Sequence, residues 1–308
     1  IFRKKFGQWE PGLGGMMAEK QWNIDKIVPK DLNSLYKSNR NVLYAHLDGS
    51  LTADTAVVEL RENLYANQQL YVQIRAKNSK VLANYFKKNG KKLRRKFEEA
   101  ELKRIVQTYK THNSPATEKK VQDAFHIKMT IDKGYTVESY EDNFMIIQRN
   151  DRFKSMELNT GGSEKMHILE GLMIWQSPYY DKIQINKDYI HRERDTTLKY
   201  HVRFPRYENA YLGTEYDSIC YPVQKLISLN GVYSVESRGT YRAFNHVMGG
   251  PFVQVSFVHP KTQQLINVMG YVHAPNIDKM ELMRHLQAML HDIECVKPSV
   301  EKEKPVAS

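Results

Sequence analysis

Two groups of residues in the second half of the chain have types and spacings suited to binding an anionic ligand. The first contains Arg238 and Gly239, followed by Gly249 and Gly250 directly before Pro251. Paired glycines reach backbone conformations closed to other residues, and the proline then fixes how the chain enters the next strand. The loop could hold Arg238 toward an anionic ligand, or it could be a tight strand connection in which Arg238 forms a buried ion pair. We favour the ion pair, because structural ion pairs often resemble sites.

The second group lies in a stretch of alternating charge that contains Arg194 and Asp195. Alternating charges on a helix are typical of a salt-bridged surface. The functional alternative is that Arg194 and Asp195 meet the Arg238 loop in a polar cleft. The candidate polar site therefore consists of Arg194, Asp195, Arg238, Gly239, Gly249 and Gly250.

No established catalytic or metal-binding spacing occurs in the sequence. The zinc-protease, serine-hydrolase, P-loop and paired C-x-x-C patterns are all absent. His285 and His291 are six residues apart, so a single helix does not place them on one face as metal ligation would require. We therefore predict no catalytic residues, no metal and no cofactor, and we favour a non-enzymatic function.

The two cysteines, Cys220 and Cys295, could form one disulfide or remain two buried thiols. Two cysteines in a chain of 308 residues support neither a disulfide framework nor a zinc site. We favour the unpaired thiols.

The net charge of +11 is concentrated in one segment. Residues 77–128 carry 15 basic and 5 acidic side chains, and the rest of the chain is almost neutral. The densest part is a candidate basic patch, which consists of Lys87, Lys88, Lys91, Lys92, Arg94, Arg95 and Lys96. It could bind the phosphates of nucleic acid, anionic lipid headgroups or an acidic partner, or it could be a solvated helix face, which we favour. Nucleic acid is disfavoured because Tyr85, Phe86 and Phe97 fall on the apolar stripe and no recognisable module occurs.

The hydrophobic periodicity predicts the elements that position these residues. The apolar stripe from Val81 to Tyr109 predicts a basic helix with a kink or break at Gly90. Further helices are predicted at 31–37, 54–66, 116–125, 187–200 and 280–293, the last capped by Asp278. Strands are predicted at 41–47, 70–76, 125–131, 136–141, 144–149, 167–177, 231–238, 242–245, 252–259 and 265–272, with a hairpin around Pro260–Thr262.

These elements predict an α+β protein, with mainly antiparallel sheet and long helices packed on one face. Each half ends in a long helix, so the halves could be two similar lobes. We divide the chain into an irregular lead-in at 1–40, an N-terminal lobe at 41–125 with the basic helix, a C-terminal lobe at 126–296 and a disordered tail at 297–308. No run of about 20 apolar residues occurs, so we expect no membrane span.

The residues around Arg238 also resemble a known family. The matching pieces are Glu236 to Gly239, Met248 to Val253, Gly270 to Pro275 and Lys279, with further ones at Pro11-Gly12-Leu13, Arg40 to Leu43, Lys133-Gly134-Tyr135, Asn143-Phe144, Arg194-Asp195 and Thr214-Glu215. In this order they resemble the Bacteroidota family called domain of unknown function 4837, whose members are mostly predicted lipoproteins. The chain departs from the family at Gly14 to Met17, where members carry a Pro-Gln-rich stretch, and at Tyr241, where members often have tryptophan.

The resemblance implies export, anchoring by an N-terminal lipid and residence on the periplasmic or cell-surface face of the outer membrane. The sequence opens on Ile1, so we expect that a segment carrying the signal precedes it. The expected function is that of a non-catalytic envelope lipoprotein, a binding or accessory subunit of a complex with a protein partner. The alternative is an envelope enzyme or an anionic small-ligand binder that uses Arg238 and the Gly249-Gly250-Pro251 loop.

Overall fold

The computed structural model describes residues 9–10, 19–20, 22–28, 33–157, 161–204, 206–217 and 221–297. Contacts within the chain divide it into two compact units, one formed by Ile1–Glu10 with Lys20–Ile105 and the other by Pro11–Glu19 with Val106–Ser308. Cys220, most of the predicted lead-in and residues 298–308 of the predicted tail lie outside the described residues. The lobe boundaries predicted from the sequence stay predictions.

The helices and strands follow one another as expected for a mixed protein. Up to the end of the long helix they are β1 (Trp9–Glu10), β2 (Glu19–Lys20), α1 (Ser34–Lys37), β3 (Asn41–Leu47), β4 (Val57–Glu62), β5 (Leu70–Ala76) and α2 (Ser79–Lys110). The next are α3 (Pro115–Phe125), β6 (Ile127–Lys128), β7 (Thr136–Glu141), β8 (Phe144–Glu157), β9 (Ser163–Pro178), a 3-10 turn (Lys182–Ile185) and α4 (Lys187–His201). The last are β10 (Tyr211–Glu215), β11 (Val223–Leu229), β12 (Val232–Phe244), β13 (Gly249–Val258), β14 (Gln264–His273), α5 (Met280–His291) and β15 (Glu294–Cys295).

The first unit contains a three-stranded sheet in the order β3-β5-β4. Strand β5 is parallel to β3 and antiparallel to β4. Its residues Val72 and Ile74 are fully buried and pack in one cluster with Phe86 and Leu93 of α2. The helix predicted at 54–66 is wrong, because Val57–Glu62 is strand β4, whose pairing with β5 decides its conformation.

Helix α2 is continuous over 32 residues, so the predicted break at Gly90 is wrong. Gly90 is buried, and the apolar stripe continues on both sides of it through Phe86, Leu93 and Phe97. A glycine inside a helix costs only about 1 kcal/mol relative to alanine, and burial of three large side chains outweighs that cost. The prediction that Phe86 and Phe97 belong to the core is confirmed.

The second unit contains an eight-stranded sheet in the order β10-β12-β13-β14-β9-β8-β7, with β11 also paired to β12. Every pair in it is antiparallel. The predicted class, α+β with mainly antiparallel sheet, is therefore confirmed. The predicted hairpin around Pro260–Thr262 is also confirmed, since β13 pairs with β14 across it.

Helices α4 and α5 cover opposite faces of this sheet. Leu198 of α4 packs in one cluster with Met269 and Tyr271 of β14, whereas Leu286 of α5 lies over Gly270 of the same strand. Successive residues of a strand point to opposite faces, so the two helices contact different sides. We expected the long helices to pack on one face of the sheet. Helix α2 does so on the first sheet, but α4 and α5 lie on opposite faces of the second sheet. This sheet also differs from the mixed three-stranded one, so the units are not similar lobes.

Two further details of the second unit differ from the prediction. Helix α3 continues through Phe125, which leaves Ile127–Lys128 as the only strand residues of the stretch 125–131. Helix α5 begins after Lys279, and its N-terminus has no side-chain cap, so Asp278 is not the cap. None of the helices in the described part of the chain has the length and apolar character that crossing a bilayer requires.

Candidate functional site

Arg238 lies on β12 and holds a buried carboxylate. Its Nε donates to Oε1 of Glu236 at 2.8 Å, and Lys225 Nζ and His291 Nε2 lie 2.9 Å and 2.6 Å from the same carboxylate. Burial would raise the pKa of Glu236, but the charges of Arg238 and Lys225 and the hydrogen bond from His291 outweigh it and hold the pKa well below its usual range. The interpretation of Arg238 as a buried ion pair is confirmed.

The glycines near Arg238 allow strands to approach each other. A Cβ on Gly250 would lie 1.9 Å from the carbonyl oxygen of Val272, and one on Gly249 would lie 2.9 Å from that of Tyr241. A Cβ on Gly239 would lie 2.9 Å from the ring of Phe252. None of the three glycines has a positive φ, so the expectation of special backbone conformations is wrong. These glycines build the sheet and do not form a ligand loop.

Arg194 and Asp195 lie across the sheet from Arg238. Arg194 contacts Gln254 at 3.4 Å and stacks 4.2 Å above the ring of Phe252, on the face that α4 covers. The side chain of Arg238 points to the α5 face, where it meets Glu236 and His291. The sheet therefore separates the two arginines, and the hypothesis that they meet in one polar cleft is wrong.

Arg194 is held in a buried network around Thr214. Its Nε and Nη2 donate to Thr214 Oγ1 at 2.9 Å and 2.6 Å. The same hydroxyl and the Thr214 backbone N–H donate to Oδ1 of Asp195. Burial lowers the pKa of Arg194, and Asp195 partly counters this. The side chain of Arg194 is fully buried, so it positions Thr214 and Asp195 and is not itself accessible to a ligand.

An open cleft of about 350 Å³ lies beside this network. Its walls are formed by Asp188, His191, Arg192, Asp195, Thr196, Tyr216 and Tyr221. The Tyr216 hydroxyl donates to Oδ2 of Asp195 at 2.5 Å. Burial and this hydrogen bond raise the pKa of Tyr216 to about 12, so the hydroxyl keeps its proton. Of the predicted site residues, Asp195 is the one that lines the cleft.

His191 is the least exposed side chain of the cleft, at 4%. Its Nε2 is buried and has no hydrogen-bond partner in the described part of the chain. Burial, together with the charges of Arg194 and Lys187, lowers the pKa of His191 to about 4. The imidazole is therefore neutral near pH 7, with one N–H donor and one lone-pair acceptor.

Sequence reasoning did not assign the cleft, although part of its signal is visible. Asp188, His191 and Asp195 follow one another at spacings of three and four, which places them on one face of α4. Tyr216 and Tyr221 follow β10, and no sequence pattern connects them to that face. Within the described residues, no group of three His, Cys, Asp or Glu side chains could hold a metal ion.

The predicted basic patch divides into two parts. Lys87, Lys88, Lys91 and Lys92 are exposed on adjacent turns of α2, and none of the four has an ion pair with a described residue; we call these four the lysine face. The other three cations of the patch pair with the glutamates that follow, in Arg94–Glu98, Arg95–Glu99 and Lys96–Glu99 at 3.6, 3.3 and 3.2 Å. The lysine face is therefore the densest group of cations on α2 without an ion pair to a described residue, and Lys80 and Lys103 stand apart from it on the same helix.

Cys295 is a free thiol at the end of the second unit. Burial raises its pKa to about 11, so it is a poor nucleophile at neutral pH. It adds no reactive group to the cleft.

Residues 114–292 match the model of a family described as Domain of unknown function (DUF4837), and residues 1–110 match that of Domain of unknown function (DUF8532). No curated protein matches the chain. Among solved structures, the Ran-binding protein Mog1p of Saccharomyces cerevisiae is similar with a TM-score of 0.33 and 9% identity, over 56% of this chain and 92% of that chain. A mutant of protein Mog1 has a TM-score of 0.33 and 10% identity, over 56% and 93%.

Proposed function

The chain belongs to the family of domains of unknown function DUF4837, and from that premise we propose that it is a non-catalytic binding protein of the Bacteroidota cell envelope. In this proposal it is a lipoprotein and an accessory subunit of a complex on the periplasmic or cell-surface face of the outer membrane. It lies against the anionic headgroups of the membrane through the lysine face, and its other surfaces remain free for a protein partner.

The lysine face is the observation that carries this proposal. Four exposed lysines on one side of α2 have no ion pair with a described residue. A lysine near an anionic lipid surface contributes roughly 1 kcal/mol of attraction. The opposite side of the helix, with Phe86 and Leu93, is buried against the sheet, so the helix has no apolar face to insert. We therefore expect peripheral, electrostatic binding that an N-terminal lipid would reinforce.

The internal pairing of the arginines favours binding over catalysis. Arg238 is paired with Glu236, and Arg194 is fully buried against Thr214. An anionic substrate would have to displace these partners before it reached either guanidinium. This also weighs against the alternative of an enzyme or anionic-ligand site built on Arg238 and the Gly249-Gly250-Pro251 loop.

Vesicle binding tests the proposed membrane contact. The 308-residue chain should bind phosphatidylcholine vesicles that contain about one third phosphatidylglycerol, and it should not bind pure phosphatidylcholine. The variant K87E/K88E/K91E/K92E should bind about 100-fold more weakly or worse, because four attractive charges become repulsive. Co-sedimentation measures both affinities.

A matched variant separates this local effect from net charge. K133E/K154E/K165E/K261E changes the charge by the same amount at four exposed lysines of the second unit. It should retain most of the vesicle binding. Equal losses in the two variants, or equal binding to neutral and anionic vesicles, would contradict a docking role for the lysine face.

A further inference from the structure

We propose that the cleft beside α4, lined by Asp188, His191, Arg192, Asp195, Thr196, Tyr216 and Tyr221, binds a neutral saccharide. This site belongs to the second unit and is separate from the lysine face. Its occupant does not depend on the membrane contact proposed above.

The size and the aromatic lining of the cleft suit a sugar ring. Its volume of about 350 Å³ is at the lower end of the range for small-ligand pockets. Tyr216 and Tyr221 are 41% and 46% exposed, and their ring centroids are 5.9 Å apart. The C–H face of a pyranose packs on exposed aromatic rings of this kind, since the ring is apolar above and below and polar at its edge.

The polar groups of the cleft provide both donors and acceptors for hydroxyl groups. Asp188 and Asp195 supply carboxylate oxygens, and Arg192 supplies guanidinium donors. Thr196 already donates its hydroxyl proton to the carbonyl oxygen of Arg192, so its oxygen is left to accept. A sugar hydroxyl donates one hydrogen bond and accepts others, and this mixed set can satisfy both roles.

The cleft presents side-chain charges of both signs, which favours a neutral ligand. Asp188 and Asp195 stand against Arg192 and against Lys187, whose Nζ lies 4.5 Å from the ring centroid of Tyr221. His191 adds no charge near neutral pH. A cationic ligand would meet Arg192 and Lys187, and an anionic ligand would meet the two carboxylates.

His191 gives independent support for a ligand site in the cleft. It is 96% buried, it lines the cleft, and its Nε2 has no hydrogen-bond partner among the described residues. A buried polar atom without a partner is costly, and such atoms are rare in folded proteins. A neutral imidazole nitrogen is a donor or an acceptor according to the tautomer, so Nε2 of His191 is chemically suited to either role toward a hydroxyl.

A glycan array with neutral, acidic and amino sugars tests the proposal on the full chain. We expect neutral glycans to be bound, and isothermal titration of the best one should give the affinity. Tyr221→Ala should weaken that affinity about tenfold or more, and Tyr221→Phe should restore it because the ring is kept. Tyr180→Ala removes a tyrosine that is 83% exposed outside the cleft and should have no effect.

Three results would overturn the saccharide site. They are binding of charged sugars alone, absence of any glycan binding at millimolar concentration, and an affinity that Tyr221→Ala leaves unchanged. The K87E/K88E/K91E/K92E variant should bind the glycan as the wild type does. Failure of the membrane proposal and failure of the saccharide proposal therefore give different results.

Discussion

Arg194 and Arg238 are both guanidinium groups in the interior of one unit, and the protein compensates them differently. Arg238 meets the carboxylate of Glu236 directly. Arg194 is compensated through Thr214 and by stacking on Phe252, with the nearest carboxylate oxygen at 3.9 Å. The sequence predicted the ion pair of Arg238 correctly. It could not show that the two arginines lie on opposite faces.

Replacement of Glu236 should show how much stability is lost when the cations around it have no buried carboxylate. Glu236→Gln should destabilise the second unit by about 3–5 kcal/mol at pH 7, because Arg238 would lose its buried carboxylate. A carboxylate with a lowered pKa stabilises the folded state above its unfolded pKa of about 4.5, and this stabilisation is lost as the pH falls through the folded value. The difference between wild type and variant should therefore shrink below about pH 4.5.

Urea denaturation at a series of pH values measures this difference. Glu164→Gln, at an exposed position of β9, is the control and should change stability by less than about 0.5 kcal/mol. A Glu236→Gln variant as stable as the wild type at pH 7 would show that the cluster contributes little.

Strands β12, β13 and β14 determine on which face of the sheet each predicted site residue lies. Their residues are buried on both faces, so their hydrophobic pattern does not reveal which side a given helix covers. The periodicity did predict α4 and the β13–β14 hairpin, because both depend on local sequence. It failed for β4, whose conformation depends on pairing with β5. The cleft was missed for a related reason, since Tyr216 and Tyr221 reach α4 only in the folded chain.

A substitution at Gly250 tests how closely β13 and β14 must approach each other. Gly250→Ala should destabilise the protein by about 1–3 kcal/mol or more, because the new methyl group would overlap the carbonyl oxygen of Val272. Gly49→Ala adds the same methyl group where no atom lies within 4 Å, and should be nearly neutral. Thermal unfolding followed by circular dichroism compares the two. Similar melting temperatures for both variants would mean that β13 and β14 can move apart at little cost.

The net positive charge of the whole molecule is concentrated in one segment of the sequence, and only part of that charge is paired with carboxylates. The net charge of +11 comes almost entirely from residues 77–128, and within that segment Arg94, Arg95 and Lys96 already have glutamate partners. Four of the exposed cations that remain without an ion pair to a described residue form the lysine face, and the other four, Lys80, Lys103, Lys120 and Lys128, are dispersed along the segment. The protein therefore has one cationic side of one helix and not a uniformly basic surface.

Salt should weaken binding of the protein to anionic membranes by screening the lysine face. Raising the ionic strength from about 0.05 to about 0.5 M should release the wild type from anionic vesicles, because the Debye length falls below about 5 Å. Glycan affinity should change little over the same range, since the proposed ligand is neutral and salt screens only interactions between charges. Vesicle binding that resists salt would indicate an apolar contact instead.

The position of β14 between β13 and β9 has a consequence for the order in which the chain can fold. Pro178 and Gln264 are register partners, although α4 and strands β10 to β13 lie between them in the sequence. The β8–β9 hairpin can form early because its strands adjoin in the sequence, but the other edge of β9 stays unpaired until β14 pairs with it. Closure of so long a loop is slow, so the unfinished sheet exposes an unpaired strand edge during folding. Until β14 is in place, that edge can pair with another chain, which makes this stage of folding prone to aggregation.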